Sequence, residues 1–187
     1  MGQDPKRLEE QIKAAAAGDS LPPIEKWNPD LSGDIDIRIT RDGDWYHQGE
    51  RIQRDAIIRL FSTILRREDD GKYYLVTPVE KWRIQVEDTP LLAHSLEVAG
   101  SGQEQVLAVT TNVGERLLIG KEHPLEVGTY DNDGTPRPVV HVRRGLEARL
   151  VTAAYYELAD LLVEMPETAG EGLAVWSSGE LFPMSNG

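Results

Sequence analysis

The sequence contains no cysteine among its 187 residues. This absence excludes disulfide bonds, thiolate zinc sites and cysteine nucleophiles. Long apolar runs are also missing, whereas a membrane-spanning helix needs about 20 consecutive apolar residues. Residues 1–18 lack the apolar block of a secretory signal peptide. We therefore expect a cytoplasmic protein that does not cross a membrane.

Basic residues are scarce, with 20 lysines and arginines against 32 acidic residues and a net charge of −12. A protein that binds nucleic acid needs a basic face for the phosphates, so this composition argues against a nucleic-acid partner. No lysine or arginine follows Arg149. Upstream, Arg137, Arg143, Arg144 and Arg149 form a basic group, which either attracts a small anion or is a solvated face with local ion pairs.

The stretch from residue 36 to residue 86 organises the chain. Ile35, Ile37 and Ile39 alternate with polar residues, as in a half-buried strand, and Asp42-Gly43 is typical of a hairpin turn. A helix follows, with apolar residues at helical spacing and with Arg66 and Arg67 in its last turn: Ile52, Ala56, Ile57, Leu60, Phe61, Ile64 and Leu65. Residues 72–77 and 81–86 are predicted strands.

The remaining elements surround this stretch. Residues 4–18 are predicted to form a surface helix with a thin apolar stripe, followed by an extended arm over 21–34 that Trp27 anchors. Residues 91–127 alternate in short segments that predict an antiparallel meander. Leu146, Leu150, Ala154 and Leu158 predict a second long helix over 146–163. Two short strands follow from residue 173.

The order of these elements repeats along the chain. Asp42-Gly43, a strand, Gly49 and the first helix correspond to Asp133-Gly134, a strand, Gly145 and the second helix. The alternative is that such units are simply common. We predict an α+β fold of two associated, duplicated units, each an antiparallel β-sheet packed around one long α-helix, plus the N-terminal surface helix. The predicted boundaries are 1–20, 21–87 and 88–187, with a ligand groove between the units.

No catalytic or metal-binding motif stands out. The four histidines, His47, His94, His123 and His141, lack ligand spacing and are interpreted as surface or strand residues. The sequence has neither a Gly-x-Ser-x-Gly nucleophile elbow nor a glycine-rich phosphate loop. We therefore predict no cofactor, no metal and no catalytic residue.

Polar and aromatic residues at strand and helix ends are the candidate ligand-binding residues. Residues 77–82 follow an apolar strand and carry a hydroxyl, a carboxylate and an ammonium group; the competing interpretation is an edge strand protected by proline and charge. Cations and hydroxyls would orient a polar or anionic group, and an indole would stack on it. The predicted set is Trp45, Arg54, Thr77, Glu80, Lys81, Arg144 and Tyr155.

Several segments together resemble a bacterial family known as domain of unknown function 1285. They are PPIEKWNP, GDIDIRITRDGDWYHQGERIQR, LFSTILR, YYLVTPVEKWRIQVED and VWSSGELFP, and the likeness extends from Pro22 to Pro183. The resemblance implies an α+β protein with repeated structural motifs in two associated domains and a part in signal transduction. It brings no catalytic residues, because the family has no established activity.

The first functional hypothesis is a non-enzymatic module that binds a small molecule or a protein partner, with a role in bacterial signal transduction or regulation. The alternative is a hydrolase-like enzyme with Glu80 or Asp42 as general base, which requires two carboxylates, or a carboxylate and a histidine, to converge within hydrogen-bonding reach in a cleft. A third possibility is an oligomeric scaffold, with an uncovered apolar face on the first or last helix. A homo-oligomer is compatible with each hypothesis.

Overall fold

The computed structural model describes residues 5–15 and 21–184, with the side chains of residues 14 and 15 excepted. The chain forms two compact units, Met1–Asp88 and Thr89–Gly187. No helix in the described part of the chain is long and apolar enough to cross a lipid bilayer.

The first unit is built on one six-stranded sheet. Its elements are α1 (Pro5–Ala15), β1 (Leu31–Ile39), β2 (Trp45–His47), β3 (Glu50–Arg51), α2 (Asp55–Thr63), β4 (Leu65–Arg67), β5 (Tyr73–Val76) and β6 (Lys81–Val86). The strand order is β3-β2-β1-β6-β5-β4. The central pair, β1 and β6, is parallel, and the other neighbours are antiparallel.

Strands β1 and β2 and helix α2 all contribute buried side chains to the core of the first unit. Ile35, Ile37 and Ile39 are buried while the residues between them are exposed, as their alternation predicts. Trp45 and Phe61 are fully buried, with their ring centroids 6.3 Å apart. Helix α2 therefore packs its aromatic residue against the first hairpin of the sheet.

Helix α2 ends earlier than its apolar pattern predicts. The hydroxyl groups of Ser62 and Thr63 each donate a 2.6 Å hydrogen bond to the carbonyl oxygen three residues back, and such bonds compete with helix propagation. Residues 65–67 then pair with β5 as a strand. The prediction that Arg66 and Arg67 occupy the last helical turn was wrong.

Helix α1 packs more firmly than a thin apolar stripe predicts. Leu8 and Ile12 are buried almost completely, and α1 contacts α2. The predicted capping residues, Asp4 and Gly18, lie outside the described residues. In the arm that follows, Ile24 is fully buried in a 3-10 turn, Ile24–Lys26, whereas Trp27 stays half-buried.

The second unit contains a six-stranded and a three-stranded sheet. Its elements are β7 (Leu91–Ala99), β8 (Val106–Thr111), β9 (Arg116–Leu118), β10 (Leu125–Thr129), β11 (Pro136–Arg143), β12 (Leu146–Leu150), α3 (Thr152–Ala159), β13 (Val163–Glu164), β14 (Leu173–Ser177) and β15 (Glu180–Pro183). The strand orders are β10-β11-β12-β7-β8-β9 and β13-β14-β15. The small sheet contacts β8 through β14 and β10 through β15.

The second helix is shorter than predicted because its first turn is a strand. Arg144 and Gly145 both have positive φ angles, 53° and 75°, and form a two-residue hairpin turn. Leu146, Ala148 and Leu150 then alternate with polar residues and are buried on one face of the sheet. A leucine every four residues fits both a strand and a helix, so the spacing did not discriminate between them.

The two large sheets share one topology. In each, the first and last of six strands form the parallel central pair, and each wing is an antiparallel three-stranded meander. Two similar sheet-rich units are therefore present. The predicted correspondence was wrong, however, because Asp42-Gly43 joins the first two strands of its unit whereas Asp133-Gly134 joins the fourth and fifth. Helix α2 precedes the fourth strand of its sheet, and α3 follows the sixth.

Candidate ligand-binding site

The predicted stacking residue, Trp45, lies in the core. Its side chain is fully buried against Phe61, and its Nε1–H group has no hydrogen-bond partner among the described residues. In this conformation the indole presents no face to solvent.

Three predicted residues lie together around the β5–β6 turn. Thr77 is fully buried, and its hydroxyl oxygen accepts hydrogen bonds from the backbone N–H groups of Val79 and Glu80 at 3.3 and 3.0 Å. Glu80 forms an ion pair with Arg7 of α1. The edge-strand interpretation was wrong, because β6 lies between β1 and β5 inside the sheet.

Lys81 belongs to a polar network on the same wing of the sheet. Its ammonium group donates to Glu68 at 2.9 Å and lies 4.8 Å from the ring centroid of Tyr74. Arg66 donates to the other Glu68 oxygen at 2.5 Å and to the carbonyl oxygens of Ile24 and Trp27 at 3.0 and 2.8 Å. This network holds the N-terminal arm against β4.

The pKa of Glu68 in this network predicts a loss of stability in acid. Burial raises the pKa of Glu68, but hydrogen bonds from Lys81 and Arg66 outweigh this effect and hold the pKa below its usual range. The folded state therefore binds fewer protons than the unfolded chain near pH 4. The contribution of Glu68 to the free energy of unfolding is complete above the usual carboxyl pKa of about 4.3 and is lost as the pH falls through the lowered value.

We expect urea unfolding, followed by tryptophan fluorescence, to give a lower midpoint at acidic pH, with a weaker pH dependence in Glu68→Gln. The control is Glu50→Gln, because Glu50 is exposed on β3 and forms no ion pair with the described residues. Equal pH dependence in both variants would contradict a role of Glu68 in acid sensitivity.

The other three predicted residues are dispersed. Arg54 is exposed at the start of α2, where it adds to the lowering of the Glu9 pKa that a hydrogen bond from Lys13 chiefly causes. Arg144 lies in the β11–β12 turn, and Tyr155 lies half-buried on α3 with its ring 6.4 Å from that of Tyr156.

Two members of the basic group have acidic partners. Arg143 pairs with Glu115, and Arg137 lies 3.6 Å from Glu147. For these two arginines, the interpretation as a face with local ion pairs is the better description.

A different place in the second unit gathers polar side chains that each keep at least one group without a hydrogen-bond partner among the described residues. A cleft of about 460 Å³ lies beside β9, and we call it the β9 cleft. Its lining residues come from β9, from the loop to β10 and from the β14–β15 turn: Arg116, Leu118, Gly120, Lys121, Glu122, His123 and Ser178.

Short-range structure fixes the walls of the β9 cleft. Ser178 and Gly179 have φ angles of 52° and 78°, so they form a tight turn between β14 and β15. A Cβ atom on Gly120 would lie 3.1 Å from the Cβ atom of Ser178, so the glycine allows the loop to approach this turn closely. The neighbouring Ser177 hydroxyl is buried and joins the backbones of β8 and the loop.

His123 is oriented by a backbone contact. Its Nδ1 atom lies 3.0 Å from the carbonyl oxygen of His141. Because a carbonyl oxygen only accepts, Nδ1 carries the proton, and Nε2 is left for a ligand. Nε2 has no partner among the described residues.

The two cations of the β9 cleft keep free hydrogen-bonding capacity. Arg116 donates to Glu97 through Nε at 2.8 Å, which leaves its two terminal nitrogens without partners among the described residues. The Lys121 ammonium group lies 3.5 Å from Glu180, and its side chain is 84% exposed. The Ser178 hydroxyl also makes no hydrogen bond to the described residues.

Comparison with known proteins gives the family. The protein-family model described as "Domain of unknown function (DUF1285), N-terminal domain" matches residues 22–89. The model described as "Protein of unknown function (DUF1285), C-terminal domain" matches residues 90–184. The chain belongs to the DUF1285 family.

Two solved structures are similar to this DUF1285 chain. A DUF1285 family protein from Silicibacter pomeroyi is 44% identical, with a TM-score of 0.84, and the match covers 94% of this chain and 93% of that one. A DUF1285 family protein from Shewanella baltica is 32% identical, with a TM-score of 0.51, and the match covers 66% of this chain and 90% of that one. No curated protein matches the chain.

Two other clefts of this DUF1285 protein are chemically less suited to a ligand. A 560 Å³ cleft is lined by Glu164, Glu167 and Glu171 without a basic residue. A 410 Å³ cleft in the first unit is lined by Asn28, Arg66, Arg67, Glu68, Asp69 and Asp70. In this cleft Arg66 binds Glu68, and Asp70 accepts a hydrogen bond from Tyr74. The β9 cleft combines cations, a hydroxyl and an imidazole in a chain of net charge −12.

The competing hypotheses concern carboxylate–histidine pairs and the apolar sides of the first and last helices. A carboxylate–histidine pair exists, Glu126 with His141 at 3.1 Å, but the side chains are 61% and 39% exposed and line none of the three clefts. Leu8 and Ile12 of α1 and Ala154 and Leu158 of α3 are buried. No group of three or more His, Asp or Glu side chains among the described residues is arranged to hold a metal ion.

Proposed function

We propose that this DUF1285 protein is a non-enzymatic binding module with a signalling or regulatory role, and that it binds a small molecule in the β9 cleft. The observation that carries the proposal is that three polar groups without partners among the described residues line one cleft. These are the Arg116 terminal nitrogens, the Ser178 hydroxyl and Nε2 of His123. Ligand sites typically combine a few placed polar groups with apolar surface.

The wall of the cleft supports the same function. Leu118 is 47% exposed and lines the cleft, so an apolar part of a ligand has a surface to contact. The loop is held from two sides, because Ser177 donates to the Ile119 carbonyl oxygen and Gly120 donates to the His123 carbonyl oxygen. A preformed site costs less conformational entropy on binding than a site that must be ordered.

The test is a thermal-shift screen of metabolites against wild type and against Lys121→Ala. We expect at least one compound to raise the melting temperature of wild type and to lose most of this effect in Lys121→Ala. The melting temperature without ligand should not change, because Lys121 is largely exposed. Lys26→Ala, an exposed lysine of the first unit, is the charge-matched control and should respond as wild type does.

The residues predicted from the sequence define an alternative ligand site in the first unit. If Arg54→Ala and Lys81→Ala abolish the ligand-induced shift while Lys121→Ala retains it, the site lies in the first unit and our location is wrong. If no compound stabilises wild type, the binding function itself is contradicted.

A further inference from the structure

The β9 cleft is rich in donors, and this chemistry indicates the class of its ligand. Arg116 offers two terminal NH₂ groups, Lys121 offers an ammonium group and Ser178 offers a hydroxyl. The one carboxylate in the lining belongs to Glu122, which is exposed. A set of hydrogen-bond donors that includes two cations favours a negatively charged ligand with several hydrogen-bond acceptors.

From this arrangement, and resting on the proposed function, we propose that the ligand is a phosphate monoester with an apolar substituent. A phosphate monoester has three strong acceptor oxygens, one more than a carboxylate, and can therefore accept hydrogen bonds from both cations and from the hydroxyl group. The fork of the Arg116 terminal nitrogens fits two phosphate oxygens. Leu118 contacts the apolar substituent, whereas the unprotonated Nε2 atom of His123 is an acceptor and can bind only a phosphate oxygen that carries a proton.

Arg116 and Lys121 can bind a phosphate group at little cost to the contacts that they already make. Arg116 holds Glu97 through Nε alone, so its outer edge is available while the ion pair persists. Lys121 lies 3.5 Å from Glu180, and exposed pairs of this kind contribute little stability. Its ammonium group can therefore turn toward a phosphate at small cost.

Phenyl phosphate, benzoate, benzyl alcohol and inorganic phosphate separate the contributions to binding. We expect isothermal titration calorimetry on the full chain to rank phenyl phosphate as the tightest of the four. Benzoate should bind about tenfold more weakly, since it makes fewer charged hydrogen bonds. Benzyl alcohol should not bind measurably, and inorganic phosphate should bind more weakly than phenyl phosphate because it does not contact Leu118.

Substitutions in the lining of the β9 cleft test whether phenyl phosphate binds there. Lys121→Ala and Arg116→Lys should each weaken phenyl phosphate about tenfold, because each loses charged hydrogen bonds, whereas Lys26→Ala should leave the affinity unchanged. Leu118→Asn should reduce the advantage of phenyl phosphate over inorganic phosphate. Higher salt should weaken binding to wild type, because these cations are solvent-exposed.

The possible failures are distinguishable. If benzoate or benzyl alcohol binds as tightly as phenyl phosphate, and Lys121→Ala weakens this binding, the proposed ligand class is wrong. The proposed binding function in the β9 cleft would still hold. Phenyl phosphate binding that is equal in wild type, Lys121→Ala and Arg116→Lys would overturn the site. If none of the four probes binds and the metabolite screen finds no stabiliser, the ligand class and the proposed function both fail.

Discussion

Replacing Trp45 by alanine is expected to lower the free energy of unfolding of the first unit by about 3–5 kcal/mol, the usual cost of removing a large aromatic side chain from a core. The side chain is fully buried and packs against Phe61 at a centroid distance of 6.3 Å. Its removal leaves a cavity between β2 and α2 that close-packed neighbours fill only in part. Urea unfolding followed by far-UV circular dichroism measures the change.

The matched variant is Trp45→Phe. Phenylalanine retains a ring against Phe61 and removes the Nε1–H group, which has no partner among the described residues. Because an unpaired buried donor is itself costly, we expect this variant to lose only about 1 kcal/mol. The role we assign would be contradicted if Trp45→Ala unfolded like wild type but lost ligand-induced stabilisation, since Trp45 would then be a binding residue.

Replacing Ser177 by alanine is expected to lower the free energy of unfolding of the second unit by about 2–4 kcal/mol, because it leaves two buried backbone groups without a partner. The buried hydroxyl accepts from the Leu107 N–H at 2.9 Å and donates to the Ile119 carbonyl oxygen at 2.6 Å. Urea unfolding gives the free energy, and amide hydrogen exchange at Leu107 reports the local opening.

The control for this variant is Ser101→Ala, since Ser101 is exposed and its side chain does not cap the 3-10 turn that follows it. We expect the control to change stability by less than about 0.5 kcal/mol. Ser177→Ala should also weaken phenyl phosphate binding, because Ile119 directly precedes Gly120 of the β9 cleft. Equal stability of Ser177→Ala and Ser101→Ala would contradict the role of Ser177 as the link between the sheets.

The strands were predictable where local patterns agreed with one another. Residues 81–86 follow a proline-containing turn and form β6, Lys81–Val86, as predicted. In the segment that starts at Leu146, the alternation of a strand and the four-residue spacing of a helix coexist. Only tertiary pairing decides such a case, because Arg149 lies opposite both Val139 on β11 and Leu92 on β7.

The β9 cleft was not predictable from local patterns, for a physical reason. Its loop residues and Ser178 are far apart in the sequence, and the contact of β14 with β8 brings them together. His123 carried no motif signal, because a backbone carbonyl group rather than a carboxylate orients its ring. The available signals were Gly120, where the loop approaches the β14–β15 turn, and Ser178-Gly179, a pair typical of tight turns.

In the first unit, the sequence identified a group of polar residues but not the contacts that they make. Thr77, Glu80 and Lys81 were recognisable as a polar group after an apolar strand, and they do lie around one turn. Their partners, however, are Arg7, Glu68 and backbone N–H groups. A sequence shows which residues can form polar contacts, but it does not show which contacts the fold itself uses.

The most direct measurement of the central claim is a titration of the ¹⁵N-labelled full chain with phenyl phosphate, followed by amide NMR. We predict that the amide resonances of Gly120, Lys121, His123 and Ser178 shift with one common binding curve, and that Lys121→Ala moves the midpoint of this curve to an about tenfold higher ligand concentration. Shifts confined to residues 73–81 of the first unit, or no saturable shift at all, would contradict a ligand site in the β9 cleft.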